Sequence, residues 1–135
     1  MGTTNYTDTL IEIAEDCPVT EAQVPPTGGR STVAALQYAL IADHPYRYTS
    51  DDVVFEVYAI RNAIPDDAKA AEREAFFARD QPCLRASALG KRYGWGIHHD
   101  PDGRIALVPV GSREYEALAS DGSLRHVRAM RSRRA

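Results

Sequence analysis

The sequence predicts an α+β fold: one compact domain in which an antiparallel sheet, including a hairpin at 94–109, is covered by about three helices. Three observations carry this expectation. Residues on either side of "DPDG" (100–103) alternate in the two-residue rhythm of strands. Three segments between 32 and 79 space their apolar residues as helices do, behind capping or helix-opening residues. Strand and helix signals do not alternate regularly, which disfavours a doubly wound parallel sheet. With 135 residues, 44% of them hydrophobic and 26% charged, the chain has the size and composition of a single domain over 1–135.

The elements follow in order. "TLIEIAED" (9–16) sets Leu10, Glu12 and Ala14 against Ile11 and Ile13, which predicts a strand over 9–15 that ends before Pro18. "PPTGG" (25–29) reads as a loop, after which Ser31 or Thr32 caps a helix over 32–43. Val33, Leu36, Leu40 and Ile41 share one face of that helix, and Pro45 stops it. In "YTSDDVVFEVYAIRN" (48–62), hydroxyl caps precede Asp51 and Asp52, which suit the positive end of a helix dipole. Val53, Val57 and Ile60 then predict a helix over 51–61, although the β-branched content leaves a strand open. Pro65 opens a third helix over 65–79, with Asp66 and Asp67 in its first turn. Ser112 caps a short helix through Leu118, and "LRHVRAMR" (124–131) fits an edge strand or a short helix. The Arg-rich end, 131–135, is expected to be flexible.

The turn chemistry of "DPDG" selects a three-residue hairpin loop with Gly103 at positive φ. That loop pairs His99 with Ile105, His98 with Ala106 and Ile97 with Leu107. One face then collects Trp95, Ile97, His99, Ile105 and Leu107, with His99 at its rim, while a two-residue loop would mix apolar and polar sets. Asp100 and Arg104 are expected to form a cross-strand ion pair. The other face holds His98 among Gly96, Ala106 and Val108, small residues that either admit a closely packed helix or floor a pocket.

Charge is uneven along the chain. Residues 1–80 hold 14 acids and 6 Lys or Arg, a net of −8; residues 81–135 hold 5 acids and 10 Lys or Arg, a net of +5. Arg125, Arg128, Arg131, Arg133 and Arg134 crowd the last stretch, as a solvated terminus or as partners for the acidic half. The overall net of −3 argues against nucleic acid as a partner. No apolar run approaches the roughly 18 residues of a membrane span, and the acidic start does not resemble a secretory signal, so a cytoplasmic location is expected. Cys17 and Cys83 are expected to remain thiols there.

Candidate site residues concentrate in "PCLRASALGKRYGWG" (82–96). Arg85, Lys91, Arg92 and Tyr93 suit an anionic ligand, because guanidinium groups bind carboxylate or phosphate through paired hydrogen bonds and aromatics stack on planar groups. His98 is placed on the floor of that binding site and is also the natural proton carrier. Cys83, among cations, is the candidate nucleophile, against the plain reading of a small core residue. His98, His99, Asp100 and Asp102 look like metal ligands on paper, but adjacent strand residues point to opposite faces. "DPDG" also lacks the Glu that a calcium loop needs at its twelfth position, where Gly111 stands. No metal or cofactor is therefore expected. "GKRYGWG" lacks the end of a nucleotide-binding loop.

Several phrases together, "TNYTDTLIEIAEDCP", "YRYTSDDVVFEVYAIRN", "CLRASALGKRYGWGIHHDPDGRIALV" and "AMRSRR", are similar to a family of small bacterial proteins classified as a domain of unknown function. The resemblance runs along nearly the whole chain. It implies one compact domain and no particular chemistry.

Two functions of different class follow from the residues. The first is a non-enzymatic binding protein for a small anionic ligand or an acidic protein segment, using Arg85, Lys91, Arg92, Tyr93 and His98. The alternative is a small enzyme of hydrolase or transferase type, using Cys83 as nucleophile or His98 as acid and base. A homodimer that completes an apolar surface is the remaining partner expectation.

Overall fold

The structure, a computed structural model, describes residues 2–27 and 32–132. Among the described residues, the strands and α-helices run in the order β1 (Thr9–Glu12), α1 (Val33–Ala42), α2 (Ser50–Arg61), α3 (Lys69–Ala78), α4 (Ala88–Lys91), β2 (Trp95–His99), β3 (Ile105–Pro109), α5 (Arg113–Ala119) and β4 (Arg125–Arg128). The strands form one sheet in the order β3-β2-β1-β4. The fold is α+β, with helices packed on a largely antiparallel sheet.

The hairpin has the expected register: His99 faces Ile105, His98 faces Ala106 and Ile97 faces Leu107. Gly103 adopts φ +79° as the loop requires. The expected ion pair is replaced by a turn contact. The Asp100 carboxylate accepts from the backbone N–H groups of Asp102 and Arg104 at 2.9 and 2.8 Å, closing the loop from within.

β1 is shorter than predicted, because the chain turns after Glu12 and the Ala14 N–H bonds to the Gly90 carbonyl. β4 resolves the ambiguity of the last segment as an edge strand. It runs parallel to β1, pairing Thr9 with Arg125 and Glu12 with Arg128, so the sheet is mixed rather than wholly antiparallel. Arg131 and Ser132 are exposed, and the Ser132 N–H donates to Asp16 at 3.0 Å. Arg133 and Arg134 lie outside the described residues, as do Ser31 and the glycines at 28 and 29.

α1, α2 and α5 begin where their caps predict, whereas Pro65 and the two aspartates open a short 3-10 turn over Asp66–Ala68 and α3 starts only at Lys69. Thr32 accepts from the Ala35 N–H at the start of α1, and Thr49 with Asp52 forms a reciprocal capping box at α2. Ser112 caps α5. Their buried faces differ from the apolar spacing in places. Val33 and Ile60 are exposed, whereas Ala34 and Ala35 of α1 and Phe55 and Ala59 of α2 are buried. The reason is that α2 is packed on two sides. Val53 and Val57 join Ile11, Ile41, Leu89, Ile97 and Ile105 in the main core, while Phe55 and Ala59 meet Phe76 of α3.

The opposite sheet face is narrow. A Cβ on Gly96 would lie 2.7 Å from the Tyr115 ring of α5, so only glycine lets that helix sit this close.

Candidate functional site

α4 is a single turn set against α1, joined by the buried bond from the Ser87 hydroxyl to the Gln37 side-chain oxygen at 2.6 Å. It carries Lys91, Arg92 and Tyr93 to one groove of about 360 Å³, whose other wall is Thr32, Val33 and Ala34 at the start of α1. This places two cations beside the positive end of a ten-residue helix. The N–H groups of Val33 and Ala34 have no acceptor within that helix. Its first turn carries no acid, and among the described residues neither Lys91 nor Arg92 has an ion-pair partner.

Beside this groove lies a larger cleft of about 440 Å³ between α1, α2 and the segment 81–88. The two concavities share Val33, Ala34, Ala86 and Ala88. Val54, Val57, Tyr58, Phe76 and Leu84 make the cleft's apolar walls. Sequence reasoning missed it, because its walls come from four separate segments and carry no local motif.

The other sequence-predicted residues are not brought to the groove. Arg85 falls in a tight turn over Leu84–Ala86 that directs it to the sheet edge, where its Nε donates to the Arg128 carbonyl at 2.7 Å. His98 lies on the opposite face of the sheet. Its Nδ1 is 2.8 Å from the Tyr46 hydroxyl, with which it stacks edge to face. Burial pulls the His98 pKa down, against the raising influence of Asp100, Glu114, Asp8 and Asp121.

Cys83 is half-buried in the cleft wall, with its Sγ 3.5 Å from the Tyr6 hydroxyl. Burial, and then the hydrogen bond to Cys83, raises the Tyr6 pKa. The Arg125 guanidinium lies 5.7 Å from the Tyr6 ring centre. The sheet thus separates Cys83 from His98, so the two do not form a nucleophile and base pair.

His99 departs most from its expected place. It is not at a rim: β2 is an inner strand, His99 sits between Thr9 and Ile105, and its exposure is 0%. Tyr6 packs edge to face on its ring at 5.4 Å between centres. Neither ring nitrogen has a hydrogen-bond partner among the described residues. Burial, assisted by the neighbouring His98, lowers its pKa to about 4, so the ring is neutral at ordinary pH.

Adjacent His98 and His99 point to opposite faces. Among the described residues no three His, Cys, Asp or Glu side chains gather as a metal-binding group, and no helix is long and apolar enough to cross a membrane.

A search of curated proteins and a search of solved structures each returned no match. A family model does match, from the first residue to the last. The chain belongs, over residues 1–135, to the family of unknown function DUF6157.

Proposed function

We propose that this chain is a cytoplasmic, non-enzymatic binding module that takes a small anion in the groove of Lys91, Arg92 and Tyr93. The observation that carries the reading is the convergence in one concavity of the start of α1 and two cations that have no ion-pair partner among the described residues. Arg92 offers paired donors to a carboxylate or phosphate, Lys91 adds a point charge, and Tyr93 adds an aromatic wall. Arg85 and His98 drop out of the proposed site, since one is held at β4 and the other faces away.

Titration with butyrate and with inorganic phosphate, followed by amide NMR, tests this. The amides of Val33, Ala34, Lys91, Arg92 and Tyr93 should shift together. The Lys91→Ala/Arg92→Ala double variant should keep a folded spectrum and bind at least about tenfold more weakly, the loss of one or two charged hydrogen bonds. An unchanged affinity in that variant refutes the reading.

A further inference from the structure

We infer that the anion bound in this groove carries an apolar chain, and that the chain lies in the adjoining cleft; the ligand class is a medium-chain alkyl carboxylate. This rests on the anion-binding reading above and adds the identity of the part remote from the charge. Three observations lead to it. The groove and the cleft are neighbours that share Val33, Ala34, Ala86 and Ala88 in their linings, all small or aliphatic side chains. At about 440 Å³, the cleft lies in the size range of small-molecule sites, and most of its exposed wall is apolar.

The third observation concerns three of its polar side chains, which spend donors on the protein itself. The Ser87 hydroxyl donates to Gln37, the Asn62 amide to the Tyr58 carbonyl and the Gln81 amide to the Phe76 carbonyl. Val54, Val57, Phe76 and Leu84 offer an occupant apolar surface, beside the ring of Tyr58, while Arg61 and Cys83 line the same cleft. A charge at Lys91 and Arg92 attached to a chain along these walls satisfies both halves at once. A free inorganic anion leaves the cleft unused, and an alcohol of equal length leaves the cations unused.

The experiment is a calorimetric or NMR titration of the full chain with butyrate, hexanoate, octanoate and decanoate below micelle formation, with 1-decanol beside them. Each added methylene should tighten binding about fourfold until the cleft is filled. Decanol should bind at least about tenfold more weakly than decanoate. Val54→Asn, which exchanges residues of similar helix propensity at a partly buried position of the cleft wall outside the groove, should flatten the chain-length dependence while its amide spectrum stays folded and butyrate still binds.

If butyrate and decanoate bind equally and both need Lys91 and Arg92, the anion site stands and the inference falls. If neither binds, both fall. Decanol binding as tightly as decanoate also overturns the inference. So does a decanoate affinity that Arg61→Ala reduces and Lys91→Ala/Arg92→Ala leaves intact, since Arg61 lines the same cleft.

Discussion

The buried His99 contributes to the protein's acid sensitivity. Its pKa falls from 6.5 to about 4 on folding, through burial. The folded-state value is the lower one, so the unfolded chain takes up the proton first as pH drops. The contribution is therefore fully present above about pH 6.5 and is lost progressively between 6.5 and 4. At 1.36 kcal/mol per pKa unit, the loss at pH 4 is about 3 kcal/mol. That is a large share of the roughly 5–15 kcal/mol by which a domain is stable.

Urea unfolding at fixed pH steps from 7.5 to 4, on the wild type and on His99→Leu, measures it. Leucine has nearly the volume of histidine and removes two unpartnered nitrogens, so stability at pH 7.5 should change by no more than about 1.5 kcal/mol. Carboxylates remote from His99 titrate in both proteins and cancel in the comparison. The wild type should lose about 3 kcal/mol more than the variant by pH 4. Parallel pH curves would refute the reasoning, because they would mean that His99 gains its proton without cost.

Two further outcomes test the packing that positions the groove. Gly96→Ala sets a methyl 2.7 Å from the Tyr115 ring, whose hydroxyl accepts from the Ile13 N–H at 3.1 Å, so shifting the ring also strains that bond; denaturant unfolding should show a loss of about 1–3 kcal/mol. Thr49→Ala removes the acceptor for the Asp52 N–H at the start of α2 while the Asp52–Arg73 pair at 3.0 Å remains; thermal unfolding should report about 1 kcal/mol.

The hairpin register was legible because turn chemistry and face alternation are local and agree with each other. The helix starts were legible for the same reason: Thr32, Thr49 and Ser112 act on N–H groups within three residues. His99 was not. Whether a histidine on an apolar face sits at a rim or in the centre depends on β1 beside it and Tyr6 above it, and no residue between 91 and 103 encodes either.

The cationic cluster was legible only in part. Lys91, Arg92 and Tyr93 are consecutive at the end of one helical turn and line one groove, Arg92 also bordering a second hollow beside Asp16, whereas Arg85 precedes that turn and is directed to β4. The parallel direction of β4 had no local signal either. It is set by the connection through α5, which crosses the narrow sheet face over Gly96.

That parallel pair has a consequence for the order of assembly. Thr9 lies in the first strand and its neighbour Arg125 in the last, so the inner strand β1 remains an open edge on one side until nearly the whole chain has been made. Closing so long a loop costs entropy before any contact returns it, which favours late docking of β4. Until then, the N–H and C=O groups of Thr9–Glu12 that face β4 are available to another chain, and the nascent protein is most exposed to mispairing along this edge.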